Sequence, residues 1–327
     1  MRVGDITAAI EQFAPLTIQE GWDNSGLAIG SPQDEVHGVL VGFDCTKELI
    51  DEAVATGCDM VVTHHPLIFH GIKKLTPGDP VSDTVIAAVR AGVAVYAAHT
   101  TADKVIAGVS GAMARRLGLR DIAILEDEGG FGLGAVGTLP EPMSGEKAAA
   151  YVKEKFGLTV LRCSKPVDRI EKVAMCGGSG SSEIEAARAA GAQLYISADI
   201  SYHHFFTPEG FMLMDIGHFE SEVEIFKENK KNYLNHLSWM IIFFIFALLC
   251  FPIWILFCVC SFCNCNCLKC FNCCKQQKCK IPFFIVLITI NGIFIILCSL
   301  GIAKISPVFE ALTSTECSIL SFIKFSR

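Results

Sequence analysis

The first 226 residues have little positive charge: 17 Lys and Arg stand against 31 Asp and Glu, a net of −14. No basic stripe runs through them, which argues against nucleic acid as a partner. Cysteine is scarce as well. Cys45, Cys58, Cys163 and Cys176 are scattered and make no disulfide framework, a pattern suited to a reducing compartment. The first twenty residues carry Asp5, Glu11 and Glu20 and no basic segment leading into an apolar core, so no secretory signal is expected there. No short-period repeat is visible.

The rest of the chain is poor in the opposite charge. Residues 227–327 hold 3 Asp and Glu against 10 Lys and Arg, a net of +7. They also hold twelve of the 16 cysteines, all beyond residue 249. Leu237 to Phe262 and Ile281 to Ala303 contain no charged residue. Each run exceeds the roughly 20 residues a helix needs to cross a bilayer. Buried core helices are the competing reading, but runs this long normally keep a polar face in a globular domain. The expected organisation is an α/β domain over 1–230, with lobes at about 1–125 and 146–226. A junction over 231–236 follows, then a transmembrane helix over 237–262, a Cys- and Lys-rich loop over 263–280, a second transmembrane helix over 281–303, and a tail over 304–327.

Within the front region, strand and helix patterns alternate. Val36 to Phe43 reads as a strand, Lys47 to Thr56 as an amphipathic helix, and Asp59 to Thr63 as the next strand. Ser82 to Ala91 is a predicted helix, Val93 to Ala98 a strand, and Val105 to Leu117 a helix. The second lobe reads as a helix over Gly145 to Phe156 and a strand over Val173 to Cys176. A helix over Glu183 to Ala190 and strands over Gln193 to Ser197 and Phe211 to Ile216 follow. This order predicts an α/β fold of two similar lobes, with mostly parallel sheets flanked by helices. The glycine-rich stretch Gly177 to Ser182 lacks a Walker lysine. It is either an anion cradle or a plain tight turn.

Three imidazoles and two carboxylates fall at element boundaries in this pattern. His64 and His65 end a strand just before Pro66, Asp103 closes His99-Thr100-Thr101-Ala102-Asp103, and His218 and Glu222 stand four apart. Strand ends of parallel sheets are where ligands bind, because side chains there project into the crevice beyond the sheet. Residues four apart share a helix face. Each piece alone has a bland reading as an incidental His pair, a helix cap or a solvated helix face. Together they make a ligand set for two divalent metal ions, and imidazole with carboxylate suits zinc, iron or manganese. His99, His203 and His204 are left to orient ligands or to face a substrate.

Gly21-Trp22-Asp23-Asn24-Ser25-Gly26-Leu27, Thr63-His64-His65-Pro66-Leu67 and His99 to Asp103 resemble motifs of the GTP cyclohydrolase 1 type 2 homologue family, the dinuclear-metal-centre hexameric proteins. Cys176 to Gly180, Asp199 to His203 and Gly217 to Glu222 extend the resemblance over about residues 1–226. It implies a two-lobed α/β protomer in a cytoplasmic homo-hexamer, with a dinuclear site on His64, His65, Asp103, His218 and Glu222, the last bridging. It also implies hydrolysis of a small-molecule substrate, a nucleotide or cyclic amide or amidine, with a non-ligand base for which His99 and His203 are the nominees. The competing expectations are a non-enzymatic metal-binding scaffold and a chimeric membrane protein with an inactive, truncated domain. Family members continue past the Ser-Glu of this motif with a full helix and a closing strand, whereas this chain turns apolar. The abrupt composition change implies a fusion of unrelated pieces. The hairpin weakly resembles prominin-type membrane proteins, and its cysteines are candidates for palmitoylation or, less favourably, zinc. Its lysines favour a cytoplasmic loop, which conflicts with a cytoplasmic front domain.

Overall fold

The alternating apolar segments close into two sheets, each covered by helices on both faces. The computed structural model describes residues 1–225 and the backbone of residues 323–325, all in one compact unit.

The first sheet has the order β1 (Gly26–Ile29), β4 (Ala94–Ala97), β3 (Met60–Thr63), β2 (Val39–Val41), β11 (Ile323–Phe325). Strands β4, β3, β2 and β11 are parallel and β1 runs antiparallel to β4. Strand β3 has a neighbour on each side, and its Met60 and Val61 are fully buried. An inner parallel strand covered on both faces has no wet side, which is why its sequence is an unbroken apolar run. On one face α2 (Lys47–Ala55) and α3 (Pro80–Ala91) pack Leu49, Ile50, Val85 and Ala88 against Leu40, Val61 and Val95. On the other, α1 (Val3–Phe13) sets Val3 and Ile6 against Met60 and Tyr96. The Thr46 side chain accepts from the Leu49 amide to start α2, and Asp79 accepts from Ser82 to start α3, with Pro80 next to the cap.

The second sheet has the order β5 (Arg120–Ile124), β6 (Ala135–Met143), β8 (Ile170–Ser179), β9 (Leu194–Ala198), β10 (Met212–Asp215), β7 (Arg162–Cys163). Only β8, β9 and β10 are parallel; β5 with β6, β6 with β8, and β10 with β7 are antiparallel. The expectation of mostly parallel sheets therefore holds for the first sheet and is corrected to a mixed sheet for the second. The connection over 125–134 is too short for the crossover of a dozen or more residues that parallel neighbours need. Both β5 and β6 escaped the periodicity reading and lie outside the second lobe expected from residue 146. Strand β5 is an edge strand with no buried residue, and β6 carries Pro140 and Pro142. Helices α5 (Val109–Leu117) and α6 (Gly145–Phe156) set Met113, Leu117 and Phe156 against Met175, Ile196 and Met214. Helix α7 (Ile184–Ala189) covers the opposite face with Ile184 and Ala187 against Tyr195 and Leu213.

The helix expected over 105–117 is also corrected. It begins later, as α5 at Val109, and a separate short helix, α4 (Thr100–Asp103), precedes it; Gly108 stands at the α5 cap, where an added Cβ would lie 1.8 Å from the Ala102 carbonyl oxygen. That close approach turns the chain and leaves Asp103 on a separate short helix. After β10 the chain is helical over 218–225, here called α8. The expected membrane helices at 237–262 and 281–303, the junction and the Cys-rich loop lie outside the described residues. Of the expected tail, residues 323–325 form β11. Among the described residues no helix is long and apolar enough to cross a membrane.

Candidate metal centre

The C-terminal ends of the parallel strands in both sheets deliver the predicted ligands to one place. At the end of β3 the amides of His64 and His65 both donate to the Phe43 carbonyl, at 3.1 and 3.4 Å. The Thr63 hydroxyl donates to the His65 carbonyl at 2.9 Å. These bonds bend the chain out of strand geometry, so two consecutive imidazoles share a site that a continuing strand would have split between its faces. Asp103 arrives on α4, after β4. His218 and Glu222 arrive on one face of α8, after β10.

Glu222, only 3 % exposed, lies at the focus. One of its oxygens is 3.6 Å from His64 Nε2, and the other is 3.1 Å from both His65 Nε2 and His218 Nε2. His64 Nε2 also stands 3.7 Å from Asp103 Oδ1, and the Nε2 atoms of His65 and His218 are 3.4 Å apart. Three convergent donor groups result: His64, Asp103 and Glu222; His65, His218 and Glu222; and His64, His65 and His99. All five residues expected as ligands are thus brought together, and His99 stands beside them. His203, the other nominated base, is exposed in the short turn Tyr202–Phe205 with its ring against Tyr202, outside these groups.

Each imidazole is held from behind. His65 Nδ1 pairs with Asp44, His218 Nδ1 with Asp199, and His99 Nδ1 with Asp23, all at 2.7 Å, while His64 Nδ1 meets the Ala98 carbonyl at 3.0 Å. Such backing fixes ring orientation and leaves Nε2 facing inward. Asp23 also accepts from the Ser25 hydroxyl, the Thr100 amide and the Thr100 hydroxyl. Asp44, Asp199 and Asp23 in these roles were missed by the sequence reading. An Asp just past a strand end or in a polar turn looks like a cap until the fold shows what it faces. Asp199 has φ 51°, a left-handed conformation that non-glycine residues rarely adopt.

The glycine-rich stretch has a different role from an anion cradle or a tight turn. Gly177 and Gly178 belong to β8. A Cβ on Gly178 would lie 2.3 Å from Glu222 Oε1 and 3.3 Å from His218 Cε1. The missing side chain is the space that the carboxylate of Glu222 occupies.

The electrostatics match a cation site. Burial opposes ionisation of Glu222, yet His218, His64 and His65 hold its carboxyl well below the usual range. Burial also works against charge on His65, but Asp44 and Glu222 push it up to about 10. Glu222 and Asp199 raise His218 to about 9. Burial pushes Asp103 up to about 6. Among the described residues, His64 Nε2 and Asp103 Oδ1 are buried without a hydrogen-bond partner, and Glu222 Oε2 touches its two imidazoles without hydrogen-bond geometry to either. Buried polar atoms normally find partners. Buried donor atoms without hydrogen bonds, from three ligand residues in one spot, fit the coordination of a divalent ion, and imidazole with carboxylate is a suitable donor set.

The fold and this centre define a class: a two-sheet α/β protein with a His and carboxylate cluster where the ends of both sheets meet. The chain belongs to the Duf34/NIF3 (NGG1p interacting factor 3) family, whose profile matches residues 1–245. It is 33% identical over 229 residues to the GTP cyclohydrolase 1 type 2 homolog of Clostridium acetobutylicum, covering 68% of this chain and 85% of that one. It is 35% identical over 225 residues to the protein of the same description from Lactococcus lactis, covering 67% and 86%. A Staphylococcus aureus hypothetical protein of known structure superposes with a TM-score of 0.67 at 26% identity, over 74% of this chain and 93% of that chain. HcgD from Methanocaldococcus jannaschii, in its reduced form, gives 0.60 at 28% identity, over 71% and 92%. The family match runs past the composition change near residue 230 and into the first apolar run.

Proposed function

We propose that the chain is a metal-dependent hydrolase acting on a small cyclic amide, amidine or nucleotide-like substrate. His64, His65, Asp103, His218 and Glu222 would hold two divalent ions, zinc, iron or manganese, with Glu222 between them. The observation that carries this reading is the convergence of buried donor atoms without hydrogen bonds from His64, Asp103 and Glu222. When bound, the ions supply an acidified water and polarise the bond that it attacks.

The chain's own residues supply the rest. Asp44 and Asp199 keep His65 and His218 turned inward. His99, backed by Asp23, is the nominated proton acceptor, because its ring lies 5.3 Å from that of His64 and 5.4 Å from that of His65. His203, exposed against Tyr202, is the weaker nominee. By family resemblance the protomers assemble as a homo-hexamer. The apolar runs beyond residue 236 would seat the chain on a membrane.

Metal analysis of the purified full chain tests this reading. It is expected to retain close to two equivalents of divalent metal, the number a two-metal hydrolase needs, and His64→Ala is expected to lose them. Chelation should abolish turnover of a responsive member of a panel of nucleotides and cyclic amides, and the metal should restore it. Absence of metal, with no effect of His64→Ala, removes the assignment. Metal without turnover on any substrate reduces the protein to a metal-binding one.

A further inference from the structure

Beside the metal centre the molecule exposes large rings. Trp22 is 61 % and Phe69 41 % exposed, although both sit against half-buried His99. Their centroids are 6.0 and 6.1 Å from the His99 ring and 6.0 Å from each other. Aromatic faces left in water next to a polar centre are unusual, because burying such rings is strongly favourable.

The arrangement is built rather than incidental. Trp22 belongs to the turn that also supplies Asp23, the partner of His99. Phe69 belongs to the loop that leaves the His64-His65 pair. The Asn24 side chain donates to the Ile68 carbonyl at 2.6 Å and ties the two segments together. The spacing of the two rings is therefore set by a hydrogen bond between their own neighbours.

Phe69 also opens onto a cavity of about 440 Å3, whose wall includes Leu67, His70, Ile72, Lys73 and Lys74. That volume is in the range of small-molecule sites. Two adjacent exposed lysines are notable in a region with a net charge of −14. Asp79, on the same wall, is committed to capping α3 through the Ser82 amide.

We propose that Trp22 and Phe69 form a stacking platform for a planar heteroaromatic ring, and that Lys73 and Lys74 receive a phosphate on the same ligand. The ring would stack on the indole of Trp22, while Phe69, inclined at 53° to it, would meet its edge on the side toward His99 and the metal ligands. Asn24 is a positioning residue that presets the platform. This rests on the reading of the metal centre as the reaction site and names the class of substrate presented to it: a phosphorylated heteroaromatic ring.

Isothermal titration of the full chain, with and without added zinc, tests the proposal with AMP, GMP, their nucleosides and ribose 5-phosphate as probes. At least one mononucleotide is expected to bind more tightly than its nucleoside and than ribose 5-phosphate. Trp22→Ala should weaken nucleotide and nucleoside binding about tenfold, the scale of one stacked base, and leave ribose 5-phosphate unchanged. Trp22→Phe should restore most of the loss. Lys73→Ala combined with Lys74→Ala should bring the nucleotide down to the affinity of its nucleoside. Asn24→Ala should weaken the ring-bearing probes only. Failure of both mononucleotides to bind, or nucleotide binding indifferent to Trp22→Ala, overturns the platform. The two readings fail separately. Ring binding without turnover of any substrate removes the hydrolase and leaves the platform, whereas metal-dependent turnover with KM unmoved by Trp22→Ala does the reverse.

Discussion

At the scale of single residues, the centre depends as much on absent atoms as on ligands. Gly178 adopts φ +62°, and a Cβ there would stand 2.3 Å from Glu222 Oε1. Gly178→Ala is therefore strained in its backbone and collides with the ligand that touches three imidazoles. The expected result is a loss of metal affinity of about tenfold to a hundredfold, the range seen when the support of a ligand is removed. A competition titration with a chromophoric zinc chelator reads it, with circular dichroism to show that the fold persists. Unchanged affinity in a folded variant would mean that Glu222 does not need this position. The ligands themselves were legible in the sequence because His, Asp and Glu stand out at strand ends. Their supports were not. Nothing in the order of residues says that Asp44 faces His65 or that Asp199 faces His218, since each pair joins different elements and meets only after folding.

At the scale of elements, the segment between β8 and α7 carries a buried charge problem. Glu183 stands just before α7, makes no side-chain cap hydrogen bond, and is 3 % exposed. Burial and the neighbouring Glu126 carboxyl push it up to about 7. A carboxyl raised in the folded state favours folding while protonated, so its contribution is complete below the ordinary carboxylate range and is lost as pH rises through about 7. Wild type should lose more stability than Glu183→Gln between about pH 5 and pH 8, with the variant about 1–3 kcal/mol ahead at the upper end. Urea unfolding at the two pH values measures it, and parallel losses in both proteins would show that Glu183 stays neutral or is relieved by another group. Helices α2, α3, α5 and α6 were readable because each shows a one-sided apolar pattern. Strands β5 and β6 were not, because an exposed edge and two prolines erase that pattern. The break between α4 and α5 was hidden for another reason: Gly108 reads as an ordinary helical glycine until the Ala102 carbonyl is seen against it.

At the scale of the whole molecule, a net charge of −14 over residues 1–226 adjoins +7 over the remainder. The family match crosses the change in composition and ends at residue 245, within the first apolar run. If the runs at 237–262 and 281–303 insert as proposed, the full chain should float with membranes and resist alkaline carbonate. Recovery in the supernatant removes the hairpin reading and leaves the front region to act alone. Size measurement of the detergent-solubilised chain also reads the proposed hexamer.

The order of residues alone was enough to read the α/β class, the three central parallel strands of the first sheet, the split in composition and the five residues that meet at the centre. Those follow from local periodicity, charge and residue chemistry, which are properties of neighbours in the chain. Only the tertiary structure decided the mixed second sheet, the carboxylates behind the imidazoles, the use of Gly178 as space for Glu222 and the link from Asn24 to Ile68. These depend on contacts between residues far apart in the chain, where packing and hydrogen-bond geometry, rather than local propensity, choose the partner.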